Sequence, residues 1–156
     1  MGIFSRLRDI VNSNLNSMLE AAEDPEKLIK LMIMEMEDTL VEVKASAAGV
    51  MADAKNTRRA LETCRDRASG WADKAKLAMD KQREDLAREA LMEKRRFVKQ
   101  AEGLERELGD LESLIAQYHE DLAALEAKLV EAQEKHRVLV QRAIRASDKK
   151  KVQGQI

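Results

Sequence analysis

Few side chains in this sequence have the type and spacing that covalent or acid–base chemistry needs. His119 and His136 stand far apart along what reads as one helix, and neither belongs to an H-E-x-x-H pair that would aim two imidazoles at one metal. Cys64 is the single cysteine, so an internal disulfide framework is excluded. Its place in an apolar helical stripe makes it a small core residue rather than an activated thiolate. No glycine-rich loop of the kind that cradles a nucleotide phosphate occurs. The residues therefore predict no catalytic group, no metal and no cofactor.

The opening stretch, MGIFSRLRDIVNSNLNSML, promises physical work of another kind. Ile3, Phe4, Leu7, Ile10, Val11, Leu15, Met18 and Leu19 follow helical spacing and form one face, while Arg6, Arg8, Asn12, Ser13, Asn14, Asn16 and Ser17 form the other. Such a helix suits a lipid headgroup boundary, where the apolar face supplies on the order of several kcal/mol. Its polar face is rich in Ser and Asn, so insertion would depend on packing defects in the lipid more than on attraction to anions. The same pattern suits a helix docked on its own chain or on a neighbour, and periodicity leaves both readings open. The apolar residues are too interrupted for a secretory signal, and no run approaches the roughly 18 residues of a membrane span. The expectation is a cytoplasmic chain.

Something must position that leader, and the composition says what. Charged residues make up 37% of the chain, aromatics 3%, and there is one proline, the balance of long helices rather than of a globule with a thick core. Acidic and basic residues nearly cancel, at 29 against 28, and no basic helix or aromatic platform stands out, so direct nucleic-acid binding is not expected.

Steps alternating four and three residues from Ile29 run through Leu40, Val43, Val50, Leu61, Cys64 and Trp71 to Ala78 with Thr57 the one polar interruption. The series fails beyond Ala78. A second one, shifted in phase, runs from Ala90 through Phe97, Leu104, Leu111, Ile115, Tyr118, Leu122, Leu125 and Leu129 to Ala146. Between them lies DKQRED, residues 80–85, wholly polar and read as a turn, with Asp85 a candidate N-cap. The fold class is thus all-α: a long antiparallel coiled-coil hairpin preceded by an N-terminal amphipathic helix. Its parts are a leader at 1–22, a first arm at 25–79, the turn at 80–85, and a second arm with C-terminal extension at 86–156.

Pro25 fits the first position of the first arm, where its missing N–H has no intrahelical partner, and it pushes Asp24 into the extended conformation of an N-cap. LIKLMIMEM, residues 28–36, is apolar nearly all round, so Leu28, Leu31 and Met34 point away from the seam. That stretch predicts burial on more than one side, by another part of the chain, a second chain or a membrane. The chain is expected to bend just ahead of Pro25, which makes that residue a hinge between leader and arm. Residues beyond about 142 have no opposite number in the first arm, which predicts contact with another subunit.

These residues converge on a known family. The first 44 residues, ending in LIKLMIMEMEDTLVEVK, and the turn REDLAREALMEK strongly resemble the bacterial phage shock protein A family, whose relatives include the plastid vesicle-inducing protein and whose fold is ESCRT-III-like. The resemblance implies a non-enzymatic protein on the cytoplasmic face of the inner membrane. It would bind phospholipid under envelope stress through the leader, with Phe4 and Val11 in the lipid contact and the segment from Pro25 to Glu42, including Leu28, Leu31 and Met34, as a second amphipathic region, and it would assemble with itself into rods or rings and stabilise or remodel the membrane. It also implies a second partner, the AAA+ enhancer-binding transcription activator, held and inhibited by the hairpin; the alternative is a purely soluble coiled coil acting on that activator alone. Two departures stand out. Gln82 occupies a turn position where many relatives carry Gly, and relatives continue through further C-terminal helices that close assemblies. The resemblance therefore implies lipid and activator binding more directly than polymerisation.

Overall fold

A computed structural model describes residues 2–154. Met1, at the start of the expected leader, and Gln155 and Ile156, at the end of the expected second arm, lie outside the described residues. Among the described residues there are four α-helices and no strand: α1 (Ile3–Asn12), α2 (Leu15–Ala21), α3 (Pro25–Asp80) and α4 (Glu84–Gly154). The two long helices pack against each other as a hairpin. The chain divides into two compact units, one of Met1–Ser46 with Tyr118–Ile156 and one of Ala47–Gln117.

The Ala47–Gln117 unit is two helices and a tight turn. Leu61, Cys64, Ala68, Phe97 and Ala101 form its buried cluster, with Trp71, Leu104 and Leu108 packed against it. A two-helix contact has only a narrow seam to bury, so its edges are closed by long polar side chains lying over apolar ones. Arg67 and Arg96 flank the Phe97 ring at 5.7 and 5.1 Å, and Lys74 lies 4.2 Å over Trp71. Arg58 pairs with Glu112 at 3.1 Å and Arg65 with Glu105, always a base on α3 and an acid on α4. A Cβ at Gly70, Gly103 or Gly109 would meet nothing within 4 Å, so these glycines stand beside open space.

The turn is shorter than the polar run suggested. Helix α3 persists to Asp80 and α4 starts at Glu84, which leaves three linking residues, Lys81 to Arg83, and places Asp85 in the first turn of α4 instead of at its cap. The reason is a Schellman closure: the Arg83 N–H donates to the Ala78 carbonyl at 2.8 Å and the Gln82 N–H to Met79 at 2.9 Å. This motif needs a left-handed residue, and Gln82 supplies it at φ 59°. The Asp85 carboxylate instead receives the Arg83 guanidinium, at 3.2 Å, and is held below the usual carboxylate range first by that bond and then by the Leu86 N–H. A side chain with a Cβ is strained at Gln82, whereas glycine is not. Gln82→Gly should therefore raise unfolding free energy by about 0.5–1 kcal/mol, measured by urea denaturation. A decrease would contradict this account of the turn.

In the other unit α3 begins as its sequence requires. The Asp24 carboxylate accepts the Lys27 N–H at 3.2 Å and its carbonyl accepts the Leu28 N–H at 3.1 Å, with Pro25 opening the helix. Lys44 meets Glu126 at 3.7 Å, the same base-on-α3, acid-on-α4 pattern as in the first unit. Ile29, Met36, Val43, Leu125 and Ala132 are fully buried. So is Thr39, which lies off the seam, where a bare two-helix contact would leave it open to water. The leader adds a third layer to this unit, reaching Glu42 on α3 and Tyr118 on α4.

Candidate functional site

The leader is two short helices rather than one. The break at Ser13 and Asn14 follows from their side chains: the Ser13 hydroxyl donates to the Ile10 carbonyl at 2.6 Å, closing α1, and the Asn14 amide oxygen accepts the Ser17 N–H at 3.1 Å, capping α2. Both residues prefer such local bonds to a helix interior. On either side of the break, α1 reaches Glu42 on α3 and Tyr118 on α4, and α2 reaches Lys135 on α4.

Leu7 and Leu15 are buried, Ile3, Phe4, Ile10, Val11 and Leu19 are half-buried, and Met18 is exposed. The apolar face of the leader is thus turned onto the chain itself. The Phe4 ring stands 5.0 Å from that of Tyr118 in a tilted arrangement, and Arg6 pairs with Glu42. Lys135 bonds the Asn16 side chain. Lys128 donates to the Ser13 carbonyl at 2.5 Å, and its side chain is only 15% exposed. That bond reaches the break itself, where the end of α1 leaves a carbonyl without a helical partner.

These polar ties were not legible in the sequence. Arg6 and Glu42, or Ser13 and Lys128, are joined only by the fold, and nothing in their local context marks them. Thr39 carried no such signal either, since it directly follows the acidic residues Glu37 and Asp38. Among the described residues its hydroxyl has no hydrogen-bond partner, nor has Nε2 of the half-buried His136, while His119 is exposed.

The apolar stretch at the start of α3 divides between two surroundings. Pro25, Leu28 and Met32 are half-buried, whereas Leu31 and Met34 are exposed, on the side of α3 opposite its seam. Among the seam residues, Val43, Leu61, Phe97, Tyr118 and Leu125 are buried, and Leu40, Val50, Trp71, Leu104, Leu111, Ile115, Leu122 and Leu129 half-buried. Residues 141–154 are exposed throughout. At the α2 end the packing opens into a cleft of about 530 Å³ bordered by Leu19, Pro25, Val138, Leu139, Lys135 and Arg142. Among the described residues no helix is long and apolar enough to cross a membrane, and no three His, Cys, Asp or Glu side chains group as metal ligands would.

Comparison with known proteins gives this arrangement a context. The model of the PspA/IM30 family matches residues 2–156. The membrane-associated protein Vipp1 of Synechocystis sp. is 37% identical over 143 residues, covering 92% of this chain and 54% of that protein. Vipp1 of Nostoc punctiforme is 31% identical over 156 residues, covering all of this chain and 60% of the relative. A phage shock protein A homolog of Deinococcus radiodurans is 34% identical over 142 residues, covering 91% of this chain and 64% of the relative. The chain therefore spans about half to two thirds of the length of the relatives it matches. With a match along nearly its whole length and a helical hairpin carrying an amphipathic leader, the chain belongs to the PspA/IM30 family.

Proposed function

We propose that this chain is a peripheral membrane protein of the envelope-stress response whose leader exchanges one apolar partner, its own hairpin, for another, the lipid headgroup boundary. The observation that carries the reading is the leader's single apolar face, held to the hairpin by contacts that can be given up. One aromatic pair, a few hydrogen bonds and a surface ion pair form a dock worth only a few kcal/mol beyond what lipid would return. On lipid, residues 13 and 14 can become helical, joining α1 and α2 into one continuous face. The names of the Vipp1 relatives support membrane association.

The proposal extends to the cytoplasmic face of the inner membrane, to self-assembly there, and to restraint of the AAA+ transcription activator by the hairpin, as the resemblance implies. Exposed apolar side chains beside the turn, Leu77, Met79, Leu86, Leu91 and Met92, offer a protein partner a surface to hold. No enzymatic step is part of the proposal. Vesicle flotation tests its lipid half: the chain floats with small phosphatidylethanolamine–phosphatidylglycerol vesicles, and a leader carrying charge on its apolar face does not. Equal flotation of both would remove the leader from the mechanism.

A further inference from the structure

The cleft at the α2 end joins an apolar floor to one acid and one base that, among the described residues, have no ion-pair partner. Leu19 of α2, Pro25 of α3, and Val138 and Leu139 of α4 make the floor, all half-buried. Of the charged residues on its border, two are already engaged: the Lys135 ammonium bonds the Asn16 side chain, and the Glu134 carboxylate accepts from the Arg137 guanidinium. Glu20 and Arg142 are the other two, both exposed and neither in an ion pair. Arg142 lies one turn beyond Leu139 on α4, and Glu20 follows Leu19 on α2. One carboxylate and one guanidinium thus border the same floor from opposite walls. The cleft, at about 530 Å³, falls in the range of about 300–1,000 Å³ typical of small-molecule sites.

We infer that this cleft binds a single-chain zwitterionic amphiphile of the lysophosphatidylethanolamine class. The phosphate of such a ligand meets Arg142, whose planar guanidinium suits it. The primary ammonium, two carbons away, donates to Glu20, and the one acyl chain lies over the apolar floor. A purely anionic headgroup would leave Glu20 unanswered, and a purely cationic one Arg142. A phosphocholine group has both charges but no ammonium N–H to donate. One wall of the cleft belongs to α2, so the cleft exists only while the leader is docked, and a two-chain phospholipid held in its bilayer is not the occupant. A ligand that binds the docked state alone stabilises that state and opposes transfer of the leader to lipid. This consequence rests on the exchange proposed above; the binding itself does not.

The test is calorimetric titration of the full chain with octanoyl-lysophosphatidylethanolamine below its micellar concentration, with the helicity of each variant checked by circular dichroism. Saturable binding of one ligand per chain is expected. Glu20→Gln and Arg142→Gln should each weaken it about fivefold, the size of a charge contact open to water. Glu20→Gln should also abolish the preference over octanoyl-lysophosphatidylglycerol, which a merely structural role would not touch. Absence of saturable binding, or an affinity that neither variant changes, would overturn the site and leave the leader's exchange with lipid standing. Glycerophosphoethanolamine that binds as tightly as the acylated probe would assign the cleft to a free headgroup ester and overturn the amphiphile. With phosphatidylethanolamine–phosphatidylglycerol vesicles present, the lysolipid at ten times its dissociation constant should lower the apparent partition of the wild-type chain about tenfold, and that of Glu20→Gln only about threefold. Equal effects on both chains would be an action of the lysolipid on the bilayer and would overturn the coupling. Failure of the exchange itself shows separately, in flotation of the leader variants without lysolipid.

Discussion

Phe4→Glu together with Val11→Glu should lower the apparent partition of the chain onto small phosphatidylethanolamine–phosphatidylglycerol vesicles by at least about a hundredfold. Each of the two side chains contributes roughly 1.5–3 kcal/mol when moved from water into an apolar medium, and a carboxylate in its place adds a desolvation cost. An opposing effect limits the loss. Phe4 also packs on Tyr118, so the variant loosens the dock and leaves the leader free more of the time. The gain from release cannot exceed the stability of the dock, whereas the loss acts on every bound state, so loss dominates. Binding that falls less than about tenfold would mean that other parts of the chain hold the lipid.

Lys128→Met should act in the opposite direction and raise the apparent affinity for the same vesicles about tenfold. The methionine keeps the apolar stem but deletes the donor to the Ser13 carbonyl, a bond that is charge-assisted and largely shielded from water. Losing a hydrogen bond of that kind costs about 1–2 kcal/mol of docked-state stability. When the competent state is a minority, apparent affinity scales with its population, so the same free energy returns as tighter lipid binding. The substitution leaves the leader's own sequence untouched. Besides the tie to Ser13 it removes an ion pair with Glu131 at 3.7 Å on the same helix, which does not touch the leader, so tighter binding reports on the dock, and unchanged or weaker binding would mean that the docked state is not the one that competes with lipid. Ionic strength gives a control, since the polar face carries few charges and binding of the wild-type chain should depend on salt only weakly.

The parts of this molecule that obey local rules were legible in its residues. Asp24 and Pro25 mark the start of α3 because capping is decided within four residues, and the seam through Val43, Leu61 and Cys64 can be counted because helical periodicity needs no knowledge of the partner. The turn was legible in place but not in length. Its closure depends on Gln82 accepting a left-handed conformation, which a polar run containing no glycine does not announce. The break at Ser13 and Asn14 was hidden for a different reason. Both residues sit on the polar face of the leader, where they fit a continuous helix on lipid and equally fit the end of one helix and the cap of the next. Which applies depends on what lies under the apolar face. Under the proposed function, whether Leu7 and Leu15 meet protein or lipid is a competition between two apolar environments, and composition is blind to the difference. The ties at Lys128 and Glu42 follow only after that competition is decided.

Pulsed electron–electron resonance on a doubly labelled chain reads that competition most directly. Spin labels at Asn12→Cys and Glu131→Cys, with Cys64→Ala to remove the native thiol, sit on either side of the Ser13–Lys128 contact and at exposed positions. Without lipid the account predicts one short, narrow distance. With excess small phosphatidylethanolamine–phosphatidylglycerol vesicles it predicts replacement by a longer, broader one. A short distance that persists on vesicles to which the chain has bound would contradict the exchange of hairpin for lipid.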